Sequence, residues 1–171
     1  MSGEPTQAGR TAPDPPDGIV IEPADPADRL DVLRVVDAAM LEVDVDPLAD
    51  RIATDDVHVA RAERTDAVVG AVVGAVVVRR PEPTRRHVEA VAVRRERRGR
   101  GIGSALVAEA VRAAVVDERV ERVTAAFDPS LSTFYTDLGF SIEREATGND
   151  GEREAGADER VRGILEPGGV S

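Results

Sequence analysis

Apolar positions along the chain follow two periodicities, one typical of strands and one typical of helices. β-Branched and apolar runs predict strands at residues 19–21, 57–62, 67–78, 87–93, 122–127, 140–144 and 161–165. Helical spacing predicts a helix from residue 25, through Leu30, Leu33, Val36 and Met40, and others over residues 47–52, 104–117 and 128–138. The resulting order, roughly β-α-α-β-β-β-α-β-α-β-β, predicts a mixed α/β fold.

Capping residues mark three of the helix boundaries. Asp25 and Asp128 each precede a proline, which is the pattern of an N-cap followed by proline at the first helical position. Gly139 fits the C′ position that ends the helix before it.

Glycines and prolines modify the long third strand. Gly70 or Gly74 indicates a bulge within it, because glycine inside a strand pattern often marks an irregular pairing. Pro81 and Pro83 mark the connection to the fourth strand, because proline cannot donate to a sheet ladder.

The predicted elements fit one domain. Residues 1–18 are rich in proline, glycine and aspartate, so we expect a disordered N-terminal segment. Residues 19–166 contain all the predicted elements, and residues 167–171 are expected to be a flexible C-terminus. Residues 147–158 are polar and glycine-rich, which predicts a loop.

Composition excludes several classes of function. The net charge of -11, from 33 acids and 22 bases that are all arginine, argues against nucleic-acid binding. The same composition indicates adaptation to high salt. GC-rich codon bias together with solubility would explain the missing lysine, but it explains the excess of acids less well. The chain has no cysteine and only two histidines, so neither a disulfide nor a metal site is expected. No apolar run approaches the ~20 residues of a membrane span, and the N-terminus lacks a signal pattern. These features predict a soluble, cytoplasmic protein.

Residues 91–104 carry the strongest indication of a binding site. A short apolar strand runs into a loop rich in arginine and glycine, and the loop leads directly into an amphipathic helix. This order brings backbone N–H groups, a helix N-terminus and guanidinium groups together, a combination suited to binding a pyrophosphate.

Several interpretations of this loop compete. A dinucleotide fingerprint needs G-x-G-x-x-G directly after a strand, whereas here Gly99, Gly101 and Gly103 alternate and the strand ends at Val93. A Walker-type loop needs Gly-Lys-Ser/Thr, which is absent. An acyl-CoA pyrophosphate loop has Arg/Gln-x-x-Gly-x-Gly/Ala, which Arg98, Gly101 and Gly103 satisfy. A solvated arginine run, the non-functional alternative, does not explain alternate glycines at the start of a helix.

The chain resembles the GCN5-related N-acetyltransferase (GNAT) superfamily over about residues 19–165. The strand at residues 87–93 precedes the loop as the family's fourth strand does. Residues 134–140, Phe-Tyr-Thr-Asp-Leu-Gly-Phe, are similar to the family's aromatic-Tyr-x-x-Leu-Gly-Phe signature. Arg95 departs from a common proline. Asp128 departs from a common asparagine, so an amide donor toward the cofactor is lost and Asp128 is equally a helix cap.

The resemblance implies a fold, a co-substrate and a set of binding residues. The implied fold is a mixed, mostly antiparallel sheet of six to seven strands, splayed between strands four and five and flanked by about four helices. Acetyl-CoA would lie in that splay, with strand backbone groups on its pantetheine arm and loop amides on its pyrophosphate, and no metal is implied. The implied cofactor-binding residues are Val91, Ala92, Val93, Arg98, Gly99, Arg100, Gly101, Ile102, Gly103, Ser104 and Asp128.

Catalytic candidates follow from direct attack of an amine on the thioester. Tyr135, the only tyrosine, lies in the signature and would donate a proton to the departing thiolate, although it can also be a core aromatic. His87 and Glu89 lie two apart on one strand, so they share a face, and either can accept the amine's proton or simply be solvated. His58 is expected to be structural.

Two other functions remain open beside acetyl transfer to a primary amine of a small molecule or peptide. One is a catalytically silent acyl-CoA-binding or sensing module, and the other is a nucleotide-binding regulatory domain that uses the same loop. The sequence does not identify the acceptor. Asp44, Asp46 and Asp50 would attract a cationic amine, but they also fit a generally acidic surface. A homodimer is possible.

Overall fold

The computed structural model describes residues 14–39, 45–63, 70–143 and 161–167. Its centre is a seven-stranded sheet of order β1-β2-β3-β4-β5-β7-β6, antiparallel except for the parallel pair β4/β5. This arrangement confirms the predicted mixed, mostly antiparallel sheet. The strands are β1 (Ile19–Pro23), β2 (Val57–Ala62), β3 (Val72–Glu82), β4 (Arg85–Val93), β5 (Arg122–Phe127), β6 (Ser141–Glu143) and β7 (Val161–Leu165).

Four α-helices lie within the described ranges, in agreement with the prediction of about four. They are α1 (Arg29–Ala38), α2 (Val45–Ala53), α3 (Ile102–Val115) and α4 (Ser132–Asp137). Short 3₁₀ turns, Pro26–Asp28 and Pro129–Leu131, precede α1 and α4. None of the described helices is both long enough and apolar enough to cross a membrane.

The predicted caps are confirmed. The Asp25 carboxylate accepts a hydrogen bond from the N–H of Ala27 at 3.0 Å, and the Asp128 carboxylate accepts one from the N–H of Ser130 at 2.9 Å. Gly139 follows α4 with a φ of 102°, the left-handed conformation that favours glycine at this position.

Two apolar cores lie on opposite faces of the sheet. One joins the sheet to α3 and α4, and its members include Leu106, Val107 and Phe127. The other joins the sheet to α1 and α2, and its members include Val36 and Leu48. The sheet is thus covered on both faces, which explains why β3 begins as a nearly continuous apolar run instead of alternating.

The hairpin between β3 and β4 differs from the prediction. β3 continues through Pro81 to Glu82, and β4 begins at Arg85 instead of His87. The pairing with β4 shifts register between Arg79 and Glu82. Pro81 lies in this irregular stretch, where its lack of a backbone N–H breaks no hydrogen bond of the sheet.

The third helix also differs at both ends from the predicted range of 104–117. It begins at Ile102, because Gly101 adopts the left-handed conformation (φ 88°) and serves as its N-cap. It ends at Val115, and a turn follows in which the N–H of Asp117 bonds the carbonyl of Ala114 at 3.2 Å.

The predicted bulge near Gly74 is present. Ala60 pairs with Gly74 but Arg61 pairs with Val72, so β3 has one extra residue at this point. A Cβ on Gly74 would lie 3.1 Å from both the Ala92 carbonyl oxygen and the Leu106 side chain, so glycine permits close packing of α3 on the sheet here.

Some predictions lie outside the described residues. They concern the lead-in up to residue 13, Met40, Asp44, the start of the third strand at 67–69, the loop at 147–158 and the C-terminal residues 168–171. The described end of the lead-in forms a turn, in which the N–H of Ile19 bonds the carbonyl of Pro16 at 3.1 Å.

His58 on β2, expected from the sequence to be structural, is buried. Its side chain is buried at a second cavity, of about 350 Å³, beside the C-terminal half of α3. Its Nδ1 atom is buried without a hydrogen-bond partner in the described structure. Burial lowers the pKa of His58 below its ordinary value, although Glu109, Asp55 and Asp56 oppose the shift.

We expect His58 to make the fold sensitive to mild acid. Because its pKa is lowered in the folded protein, its neutral form contributes full stability above about 6.5, the pKa of unfolded histidine. Below that pH the His58 side chain binds a proton in the unfolded chain but remains neutral in the folded protein. As the pH decreases below about 6.5, the free energy of unfolding should therefore fall by up to about 1.4 kcal/mol per pH unit.

Urea unfolding between about pH 7.5 and pH 5.5 at fixed salt measures this slope. His58→Gln should flatten the slope even if it lowers stability at every pH. An identical pH dependence in the two proteins would contradict the assignment.

Candidate active site

A cleft opens where β4 and β5 separate. The two strands pair from Arg85–Arg122 to Val88–Ala125, and no pairing follows beyond that point in the described chain. The separated ends form a cleft of about 700 Å³, walled by residues 88–93 of β4 on one side and residues 126–128 on the other. The splay implied between strands four and five is thereby confirmed.

β4 presents its backbone to this cleft. The N–H of Arg94 bonds the carbonyl of Val73 on β3 at 2.8 Å. The Val93 carbonyl, at the other edge of the same trans peptide, therefore points toward the open side. Arg98 Nε donates a hydrogen bond to that carbonyl at 3.0 Å. By strand alternation, Val91 presents its N–H and carbonyl to the same side.

The loop after β4 closes one end of the cleft. A 3₁₀ turn, Arg95–Arg97, leads to Gly99 (φ 78°) and Gly101 (φ 88°), both in the left-handed conformation. Within the described part of the chain no side chain caps α3, so the first N–H groups of the helix are left for another acceptor. Such a loop, joined to the positive end of a helix dipole, suits an anion.

The arginines of this loop have different environments. Arg98 is exposed and held to the Val93 carbonyl, yet it still lines the cleft. Arg97 also lines the cleft, whereas Arg100 is exposed and lies outside the lining. Of the two loop arginines named as cofactor-binding candidates, Arg98 lines the cleft and Arg100 does not, and Arg97 lines it as well.

Tyr135 joins the core to the cleft wall. Its ring stacks on Phe127 at 4.0 Å between centroids and meets Phe134 and Phe140 edge-on at 4.9 and 5.4 Å. Tyr135 is only 5% exposed but lines the cleft, so it is both a core aromatic and a cleft residue. The Phe127 ring packs closely against Gly163, where a Cβ would come within 2.9 Å of the ring.

Glu89 and His87 have different partners. Glu89 lines the cleft and forms an ion pair with Arg51 of α2. His87 Nδ1 lies 2.8 Å from Thr124 Oγ1 on β5, where the two strands are still paired, and His87 is not among the cleft-lining residues. The structure therefore brings Glu89, and not His87, into the cleft.

The sequence of residues 53–142, from the end of α2 to β6, matches the family model of the acetyltransferase (GNAT) domain. The chain belongs to the GNAT family. The matched region contains β4, the glycine loop, α3 and the Tyr135 motif, all of which line the cleft. No curated protein matches the chain in sequence.

Solved structures have the same GNAT fold at low sequence identity. Rv2747 from Mycobacterium tuberculosis, in complex with CoA and NLQ, is 20% identical with a TM-score of 0.63, over 86% of this chain and 98% of that one. The NatC complex bound to Gag peptide and CoA is 16% identical with a TM-score of 0.69, and the match covers 86% of this chain and 98% of that one. The apo form of an agmatine N-acetyltransferase variant is 16% identical with a TM-score of 0.65, and the match covers 88% of this chain and 100% of that one.

The GNAT cleft brings most of the predicted site residues together. Arg100 and His87 are outside its lining. The predicted residues that do line it are Glu89, Val91, Ala92, Val93, Arg98, Gly99, Gly101, Ile102, Gly103, Ser104, Asp128 and Tyr135. Among the described residues, no group of three potential metal ligands occurs.

Several cleft residues were not predicted. Arg97 and Phe134 line the cleft and lie directly before Arg98 and Tyr135 in the chain. That adjacency to predicted site residues is the feature of the sequence that could have identified them. Ala39 after α1 and Leu131 before α4 also line the GNAT cleft, and only the packing of their helices brings them there.

Asp128 has the geometry of both its predicted roles. It lines the cleft at the end of β5, and its carboxylate caps the turn at residues 129–131. A carboxylate is an acceptor only, so Asp128 does not supply the amide donor that an asparagine at this position would.

Proposed function

We propose that this chain is an acetyl-CoA-dependent N-acetyltransferase that acts on a primary amine. One observation carries the proposal: the same cleft has the uncapped N-terminus of α3, which suits an anion, at one end and both Glu89 and Tyr135 in its walls. A pure binding module needs only the first of these features.

The proposed position of acetyl-CoA follows from the cleft's backbone groups. The pyrophosphate would accept hydrogen bonds from N–H groups in residues 99–104, next to Arg97 and Arg98. The pantetheine arm would lie along β4 as an added strand, pairing with the backbone of Val91 and Val93 beside Ala92. The Val93 carbonyl can accept a second hydrogen bond while Arg98 occupies it, because it has two lone pairs. Asp128 would face this arm from β5.

The proposed reaction is direct transfer. The neutral amine nitrogen attacks the thioester carbonyl, and Glu89 accepts the proton that the nitrogen loses. A β4 backbone N–H stabilises the developing oxyanion. The carbon–sulfur bond then breaks, and the Tyr135 hydroxyl protonates the departing thiolate to give CoA and the acetylated amine.

Release of free CoA thiol tests the function. Agmatine, L-glutamate and a peptide with a free amino terminus each offer a different amine. Turnover with any of them above the rate of acetyl-CoA hydrolysis supports an acetyltransferase. Binding of CoA with no turnover across a wider amine panel would favour the silent acyl-CoA sensor. Tighter binding of ATP or NAD than of CoA would favour the nucleotide-binding domain.

A further inference from the structure

Glu89 occupies an irregular position in β4 that the sequence did not predict. Val77 pairs with Ala90 and Val78 pairs with Val88, which leaves Glu89 as an extra residue in the strand. This bulge lies where the pairing with β5 ends. Bulges re-aim side chains near active sites, and here the Glu89 side chain is 24% exposed and lines the cleft.

Arg51 approaches Glu89 from the last turn of α2. Its backbone is fixed, because its carbonyl accepts hydrogen bonds from the N–H of Asp56 at 2.8 Å and from Thr54 Oγ1 at 3.2 Å. The neighbouring Ile52 side chain is buried in the core on this face of the sheet. Only 15% of the Arg51 side chain is exposed, so it has little freedom to move away.

The contact between these residues uses one carboxylate oxygen and spares the other. Arg51 Nη1 donates to Glu89 Oε1, and in the described structure Glu89 Oε2 accepts no hydrogen bond. Glutamate has three rotatable side-chain bonds and loses considerable entropy when it is fixed. The Arg51 guanidinium, on an anchored helix, fixes the conformation of the Glu89 side chain and leaves Oε2 available to accept a proton in the cleft.

On the proposed function, in which Glu89 accepts the amine's proton, we propose that Arg51 is the positioning residue of the general base. Arg51 holds Oε1 so that Oε2 faces the attacking nitrogen, directly or through one water. Arg51 itself touches neither substrate, and its contribution to turnover passes entirely through Glu89.

A double-mutant cycle tests this dependence with the fastest amine of the three named above. Glu89→Gln should lower kcat about 100-fold, and Arg51→Ala about 10-fold with the KM for acetyl-CoA within about twofold. Arg51→Lys should recover most of the loss, because it keeps the charge. In the Glu89→Gln background, Arg51→Ala should change kcat less than about twofold.

Independent losses in the two single variants would overturn the proposal, because a merely structural role of Arg51 lowers kcat in either background. Full kcat in Glu89→Gln would overturn it as well. Arg112→Ala is the matched control, since Arg112 pairs with Glu109 on the exposed surface of α3 and its loss should leave kcat unchanged.

A crystal structure of Arg51→Ala with CoA tests the positioning role even if no amine is turned over. Lack of turnover would count against the proposed function, but not against the positioning of Glu89 by Arg51. The Glu89 side chain should leave its cleft-lining rotamer or become disordered. An unchanged, ordered Glu89 would show that Arg51 does not position it.

Discussion

Tyr135→Phe should lower kcat about 100-fold and leave the KM for acetyl-CoA within about twofold, if Tyr135 protonates the departing thiolate. The substitution keeps the ring that stacks on Phe127 and removes only the hydroxyl. The free energy of unfolding should therefore fall by no more than about 1.5 kcal/mol, the net contribution of a typical hydrogen bond. Steady-state CoA release and urea unfolding measure the two effects separately.

Phe140→Leu provides the control for packing around Tyr135. Phe140 meets the Tyr135 ring edge-on and is buried outside the cleft lining. Its substitution should cost about 1 kcal/mol of stability and change kcat little. If Phe140→Leu slowed turnover as much as Tyr135→Phe, the tyrosine would matter through packing. Full turnover by Tyr135→Phe would remove it from the mechanism.

Ser104→Asp should weaken CoA binding about 100-fold while leaving the fold as stable or slightly more stable. Ser104 lines the cleft in the first turn of α3. A carboxylate there would repel a pyrophosphate, with about 4 kcal/mol between unit charges 4 Å apart at an effective dielectric constant of 20. The same carboxylate stabilises a helix N-terminus by about 0.3–1 kcal/mol.

Calorimetric titration with CoA and thermal unfolding without it measure these opposite effects. Ser104→Ala should bind CoA within a fewfold of the natural protein. Ser141→Asp adds the same charge at the exposed edge strand β6 and should leave affinity unchanged. Unaltered CoA affinity in Ser104→Asp would place the pyrophosphate elsewhere. Part of the loss should disappear at high salt, where charges are screened.

Local features of the fold were predictable from the sequence. The strands and helices were found in the expected order, and Asp25, Asp128 and Gly139 act as caps as their neighbours in the chain indicated. Caps, turns and amphipathic periodicity depend on residues within a few positions of one another, so the chain itself specifies them. The glycine loop belongs to this class as well, because its conformation depends on Gly99 and Gly101 directly.

Pairings between distant residues were not predictable. Nothing local indicates that Arg51 meets Glu89, 38 residues away, or that His87 meets Thr124, 37 residues away. The insertion of β7 between β5 and β6 also depends on the whole sheet. Which of His87 and Glu89 reaches the cleft was therefore decided by the register of β4 against its neighbours.

The sequence by itself determined the elements, the family resemblance and the segment suited to an anion, because each is a short-range pattern. It also indicated adaptation to salt, which stays a prediction. Only the tertiary structure decided the cleft, since that depends on where β4 stops pairing with β5 and on the bulge at Glu89. Both result from the packing of two cores against one sheet, which no segment of the chain specifies alone.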